Sequence, residues 1–354
     1  MSIRRVQVTD FRCLQSVALD LDSRFTLISG ANASGKTSLL EALYVLGRGR
    51  SFRTRRLEHL IRHGSDRFIV FGEIDAFDRR VGIGVEGSAA GVRAKLGGAK
   101  AASLAELAPL LPVQIIDPEI HRLIEEGPSR RRRFLDWGVF HVEPRFVDDW
   151  MRFQQALKQR NAALKSRQPR SVTAAWDGDL VRYGESLSLA RSRYVGLLTE
   201  HAVTIARHLL GMELRISYRA GWAQGLSLAE ALLQSWVHDQ ESGVTQVGPH
   251  RAELHIRLDD MAVKDRISRG QQKLLAAALL MAQVKLFPQD SPVRPSLLLD
   301  DPAAELDNER LTGLIAEVSS QSVQLIVTTL HPEFSEFGTP GLQYRIDQGS
   351  VRAV

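Results

Sequence analysis

Val17, Leu19 and Leu21 alternate with Ala18, Asp20 and Asp22, the two-residue period of a strand with one buried face. A continuous apolar run, Phe25-Thr26-Leu27-Ile28-Ser29, follows and stops at Gly30. Leu39, Leu40 and Leu43 then recur at helical spacing, so the pattern reads strand, glycine loop, helix. Further strands are predicted over Arg67–Phe77, Val81–Glu86 and Val92–Leu96, separated by glycine-containing turns. Together these make a small antiparallel layer beside the loop at Gly30.

The middle of the chain changes period. Phe146, Trp150, Phe153, Leu157 and Leu164 form one helical stripe, which Pro169 and its polar neighbours interrupt. Trp176, Leu180, Tyr183, Leu187, Ala190, Tyr194 and Leu197 form a second, so an αα-hairpin with these aromatics in its core is expected. After about residue 244 the α/β pattern returns. A helix is predicted from about Gly270, buried strands at Ser296–Leu299 and Leu325–Thr328, and a final hairpin around Gly349. The chain therefore divides into a discontinuous α/β lobe, residues 1–110 with 244–354, and a mostly helical insertion, 111–243. No internal repeat or low-complexity tract interrupts this pattern.

Composition narrows the class without changing the division. The chain has 354 residues, 44% hydrophobic and 25% charged, as ordinary globular proteins do. A net charge of +5 favours polyanionic partners, and equally suits a slightly basic surface with no such partner. Cys13 is the single cysteine, which excludes an intrachain disulfide and a cysteine-cluster zinc site. The longest apolar run, Leu274–Ala282, is far shorter than the roughly 20 residues that cross a bilayer. Met1–Arg5 is basic but leads into strand-like alternation, with no apolar signal core behind it. A cytoplasmic protein without a membrane partner is expected.

The chemistry is carried by short motifs. Gly30-Ala31-Asn32-Ala33-Ser34-Gly35-Lys36-Thr37 satisfies G-x-x-x-x-G-K-[ST], with the strand before it and the helix after it that the motif needs. Its glycines let successive N–H groups turn inward around phosphates, and the helix N-terminus adds partial positive charge. Lys36 is expected on the β- and γ-phosphates of ATP and Thr37 on Mg²⁺, with Gly30–Ser38 together binding the nucleotide. Ser296-Leu297-Leu298-Leu299-Asp300-Asp301 is an apolar strand ending in two carboxylates, the form of a Walker B motif. Asp300 is the expected Mg²⁺ ligand, and Asp301 the group that polarises the attacking water.

Ile267-Ser268-Arg269-Gly270-Gln271-Gln272 opens a helix about thirty residues earlier, and its order resembles the ABC signature. Ser268 caps that helix and would aim its hydroxyl at a γ-phosphate; a plain N-cap is the alternative. Glu305-Leu306-Asp307 fits a D-loop, and Gln324–Thr328 followed by His331 fits a strand before a switch residue. The order resembles ABC-type ATPases. In those proteins the signature faces the nucleotide of the opposite protomer, so one P-loop and one signature per chain imply an ATP-dependent homodimer. The fold implied is an α/β, ABC-type P-loop ATPase head with an antiparallel β layer and an inserted helical lobe.

More than two hundred residues separate the P-loop from the signature, too many for a typical transporter ATPase and too few for the long coiled coils of SMC or Rad50 proteins. Phe11-Arg12 before the loop, Gly127–Asp136, Gly248-Pro249-His250-Arg251, Ser268–Lys273 and Leu298–Asp307 resemble the RecF family, and they span nearly the whole chain. That resemblance implies weak, DNA-stimulated ATP hydrolysis and action with RecO and RecR to promote RecA loading at single-strand gaps. By analogy with related heads it places Arg12 on phosphate and Gln114 on Mg²⁺; for Gln114 a solvent-facing position is the alternative. Asp301 stands where transporters carry glutamate, which suits a slow switch. His331 lies a residue or two later than a switch histidine should.

DNA contacts are expected from Arg48, Arg50, Arg53, Arg55, Arg56 and Arg62, a cluster dense enough to follow a phosphate backbone without reading bases. A solvated or dimer-facing basic segment is the alternative. Arg130–Arg133 is a weaker candidate, because salt bridges or the nucleotide could engage it instead. Two other classes remain: the ATPase subunit of a membrane transporter, and a P-loop kinase or switch that does not dimerise.

Overall fold

The chain begins with β1 (Ile3–Phe11) and β2 (Leu14–Asp20), antiparallel, whose inward positions include Val6, Val8, Val17 and Leu19. The computed structural model describes residues 2–76, 79–259, 261–263, 267–288, 293–305, 308–334 and 336–354. Then come β3 (Phe25–Ser29), α1 (Lys36–Arg48), β4 (Arg67–Ala76), β5 (Arg79–Ser88), β6 (Gly91–Leu96), β7 (Ala99–Lys100) and β8 (Val113–Ile116). Phe77, the expected end of β4, lies outside the described residues. The middle comprises α2 (Arg122–Glu125), α3 (Pro128–Val142), α4 (Phe146–Lys165), α5 (Arg170–Thr173), α6 (Asp177–Leu210), β9 (Leu214–Arg219), α7 (Leu228–Gln234) and α8 (Trp236–Ser242). It continues through β10 (Glu253–Leu258), β11 (Met261–Ala262) and α9 (Arg269–Lys285). The chain closes with β12 (Ser296–Asp300), α10 (Pro302–Glu305), α11 (Asn308–Ser319), β13 (Gln324–Thr329), β14 (Leu342–Asp347) and β15 (Ser350–Ala353).

Two compact units result, Met1–Ile120 with Phe287–Val354, and His121–Leu286. In the first, the described strands form an antiparallel sheet, β2-β1-β4-β5-β6-β7, and a mixed sheet, β15-β14-β3-β13-β12-β8. The second is parallel from β14 to β8; only the edge pair β14–β15 is antiparallel. Its central strands β3, β12 and β13 are buried along their whole length, as expected of parallel strands covered on both faces. Helix α1 packs against strands of both sheets, so almost every residue from Lys36 to Gly47 is buried. A helix so enclosed needs apolar residues all round, and Leu39, Leu40, Ala42, Leu43, Val45 and Leu46 supply them.

In the second unit α4 and α6 form the expected hairpin. Phe146, Phe153, Leu157 and Leu164 face inward, with Trp150 and Trp176 half-buried. The second stripe departs from expectation at one position: Leu197 is exposed and Leu198 takes the core place. Steps of four and three run Leu180, Gly184, Leu187, Arg191, Tyr194, Leu198, so a helical period alone leaves 197 and 198 undecided.

The unit boundaries also differ from the expected 110/111 and 243/244. Residues 111–120 stay with the first unit because β8 is a strand of its sheet, beside β12. Residues 244–286 group with the helical unit because β10 pairs with β9 along its full length and α9 packs along α6. The architecture as a whole is the expected α/β fold with an antiparallel layer and an inserted helical region.

Candidate nucleotide site

The loop after β3 is shaped by its ends. Gly30 N–H donates to Thr329 O on the neighbouring strand at 3.1 Å. The chain then passes through exposed Ala31, Asn32 and Ala33 and enters α1 through Gly35, whose φ of 115° is a left-handed conformation that favours glycine. Lys36 Nζ donates to Gly30 O at 2.7 Å and Ala31 O at 3.0 Å, which holds the ammonium across the loop. The buried Ser34 hydroxyl finds no hydrogen-bond partner among the described residues. It is a donor that a phosphate oxygen could satisfy.

Register brings the carboxylates to this loop. Asp300 pairs with Thr328, and Thr329 with Ser29, so the C-terminal ends of β12, β13 and β3 lie at one level. Ligands of open α/β sheets bind at that edge. Thr37 Oγ1 donates to Asp300 Oδ2 at 2.8 Å, and Thr328 Oγ1 donates to Asp300 Oδ1 at 2.7 Å. A hydroxyl and a hard carboxylate held together at the foot of a phosphate loop suit Mg²⁺, which takes few protein ligands and shares the rest with phosphate and water.

Asp301 leaves β12 with a φ of 49°, its N–H on Thr328 O at 3.0 Å. Burial pushes its carboxyl above the ordinary range; Lys36 opposes that rise and Asp300 adds to it. Burial likewise pulls the Lys36 ammonium down, against the attraction of Asp301 and Asp300. Two adjacent carboxylates and one ammonium thus share a partly desolvated corner, as charge-handling sites do.

Other expected residues fall in less direct places. Gln114 is buried in β8 and pairs with Leu297, three residues before Asp300. At about 3.3 Å per residue this puts it roughly 10 Å back from the strand's edge, so the structure does not bring it to Thr37 and Asp300. Neither is it solvent-facing. His331 is exposed, its backbone N–H on Thr329 Oγ1 at 3.1 Å, and its Nδ1 lies 3.8 Å from Glu333. Arg12 directs Nε and Nη2 to Glu41, each at 2.9 Å, which commits that side of the guanidinium to α1. Leu306 and Asp307 of the D-loop lie outside the described residues.

Ser268 belongs to the other unit, where it caps α9. Its Oγ accepts from Gln271 N–H at 3.2 Å while Gln271 Oε1 accepts from Ser268 N–H at 2.9 Å, a complete capping box. Arg50, Arg53, Arg55 and Arg56 are exposed. Arg48 is half-buried on Tyr44, and Arg62 lies 3.8 Å from Asp10. All four of Arg130–Arg133 have intrachain acceptors. Arg130 pairs with Glu126 at 2.9 Å, Arg131 forks onto Glu253 at 2.8 Å, Arg132 donates to Ala252 O at 2.8 Å, and Arg133 to Ser129 O at 3.2 Å.

Two supports of the loop carry little local signal in the sequence. Thr328 shares Asp300 with Thr37, and its only prior signal was a polar residue ending an apolar strand. The tip of the β14–β15 hairpin is the other: Gly349 N–H donates to Ser34 O at 2.9 Å. Gln348 (φ 45°) and Gly349 (φ 79°) form its two-residue turn, both left-handed.

The family described as the RecF/RecN/SMC N terminal domain matches residues 2–348. The chain is 36% identical to the DNA replication and repair protein RecF of Shewanella loihica, covering 100% of both. It is 38% identical to that of Yersinia enterocolitica, covering 99% of this chain and 98% of the relative. The chain belongs to the RecF family. A solved structure of the recombination mediator protein RecF with ATP, in the RecFOR pathway, superposes with a TM-score of 0.89 at 26% identity, covering 100% of this chain and 97% of that one. The Pyrococcus furiosus Smc head, at 18% identity and a TM-score of 0.59, shares the fold alone. Among the described residues of this RecF-family chain, no helix is long and apolar enough to cross a membrane.

Proposed function

We propose that this RecF-family chain binds ATP with Mg²⁺ and, in that state, forms a homodimer that engages DNA in recombinational repair. The observation that carries the nucleotide reading is the bond of Thr37 to Asp300 at 2.8 Å, beside Lys36. The solved RecF structure with ATP, which superposes over the whole chain, supports the same reading. Gly30–Ser38 would wrap the phosphates, Lys36 would neutralise them, and Thr37 with Asp300 would hold the metal, which supplies charge neutralisation for the phosphoryl group. Asp301 is the group best placed to orient water, with a short carboxylate arm that suits slow turnover. His331, which follows β13 with its N–H on Thr329 Oγ1 at 3.1 Å, would be the switch residue. Arg12 remains a candidate phosphate contact through the part of its guanidinium that Glu41 does not hold.

Ser268 would complete the site from the second copy, presenting a hydroxyl and a helix N-terminus to the γ-phosphate. The exposed Arg50, Arg53, Arg55 and Arg56 would follow the DNA backbone. RecO and RecR are the expected partners, since the superposing structure is of a mediator in the RecFOR pathway, and loading of RecA at gaps is the expected outcome. The test is ATP turnover with and without gapped duplex DNA. Slow hydrolysis that DNA accelerates is expected; turnover indifferent to DNA would overturn the proposed link between the nucleotide site and DNA.

A further inference from the structure

Glu41 lies on α1 with no solvent exposure, and a carboxylate so buried is costly unless it is paired. Its partners come from two other places in the chain. Arg12 grips it with Nε and Nη2, each at 2.9 Å. The Ser51 hydroxyl donates to the same carboxylate, and Arg53 Nη1 reaches it at 3.5 Å. Ser51 Oγ also accepts from the N–H groups of Arg53 at 2.9 Å and Thr54 at 3.0 Å. The bend that opens the arginine-rich segment is therefore built on Glu41.

Both arms of this network run back to the phosphate loop. Glu41 follows Thr37 by four residues, one turn along the same face of α1. Arg12 precedes Cys13, whose Sγ lies 3.6 Å from Ser38 Oγ. Arg12 is itself held at a φ of 56°, costly for a residue with a side chain. Its N–H donates to Leu60 O at 2.8 Å, near the far end of the arginine segment, and Phe11 bridges to Ile61. The segment is thus fastened at one end through Ser51 and Arg53, and at the other through the turn that carries Arg12.

We infer that Glu41 is a positioning residue that couples nucleotide binding to DNA binding, by tying the helix that starts at Lys36 to the segment carrying Arg50, Arg53, Arg55 and Arg56. The inference rests on the ATP and DNA binding proposed above. A shift of α1 on phosphate binding is transmitted by Glu41 to the base of the segment, and the arginines change their presentation. Because such coupling is an equilibrium property, DNA must change ATP affinity by the same factor as ATP changes DNA affinity.

The experiment measures that factor by fluorescence anisotropy, with a non-hydrolysable ATP analogue and duplex DNA, each titrated with and without the other. Wild type, Glu41→Gln, Glu41→Asp and Ser51→Ala are compared. Wild type is expected to show coupling of about fivefold or more, and Glu41→Gln to lose it while still binding each ligand alone. Glu41→Asp should recover part of it, which a purely structural role would not predict. Ser51→Ala leaves no buried charge unpaired and should lower the coupling, so it decides the matter if Glu41→Gln does not fold. Unchanged coupling in a folded Glu41→Gln or Ser51→Ala protein overturns the inference, as does a wild type that binds both ligands independently. A wild type that binds no DNA overturns the proposed function as well.

Discussion

Thr37 Oγ1 donates to Asp300 Oδ2 at 2.8 Å across 263 residues of sequence, and that bond defines the floor of the candidate site. Thr37→Val keeps the shape and removes the donor. Asp300 retains Thr328, so folding should lose only about 1 kcal/mol, read by thermal unfolding. Mg²⁺-dependent ATP affinity should fall by roughly tenfold to a hundredfold, the worth of a hydrogen bond to a charged group. Equal losses with and without Mg²⁺ would argue against a metal at this position.

Asp301 carries a carboxyl raised mainly by burial. The folded chain therefore holds that proton more tightly than the unfolded chain. Its ionised form costs stability once the pH rises through the folded value, and below the unfolded value the cost is absent. Asp301→Asn should thus raise the melting temperature of the nucleotide-free protein at neutral pH and not in acid. In the same variant ATP hydrolysis should drop by about two to four orders of magnitude. Hydrolysis by wild type should fall away on acidification at a pH above the usual carboxylate range.

Gly349 donates to Ser34 O, and a Cβ there would lie 2.6 Å from Cys13 O. Its φ of 79° adds about 1–2 kcal/mol for any residue with a side chain. Gly349→Ala should therefore weaken ATP-analogue binding although it lies more than three hundred residues from the loop. Isothermal titration checks this; unchanged affinity would make the hairpin a bystander.

Replacing Arg53, Arg55 and Arg56 by alanine should weaken DNA binding without regard to sequence. The slope of log affinity against log salt should shrink by roughly two to three, one step per lost phosphate contact. ATP binding should persist. DNA affinity equal to wild type at every salt concentration would reject the segment as the interface.

The candidate loop at Gly30–Thr37 and the paired carboxylates Asp300 and Asp301 are legible in the sequence because each is a local pattern, a strand that ends in a few specified residues. What supports them is not. Thr328 and Gly349 act through sheet neighbours, and nothing near either residue announces which strand it will lie beside. Leu197 and Leu198 both fit a helical period that follows Tyr194, and only packing selects one. Helix α9 is apolar on almost every side, so its pattern does not say which unit it packs in, and a boundary at 244 fits the sequence equally well. Charge density marked the arginine segment, but not that Tyr44 occupies Arg48 or that Glu41 anchors Arg53.

In the proposed dimer ATP bridges two copies, with Lys36 and Thr37 on one side and Ser268 of the second copy on the other. Light scattering of Asp301→Asn with saturating ATP and Mg²⁺ reads that bridge as mass, with Ser268→Arg added in a second sample. A doubling of mass that requires ATP and vanishes when Ser268 is replaced is the predicted result. A monomer at every ATP concentration, or a dimer indifferent to Ser268→Arg, would contradict it.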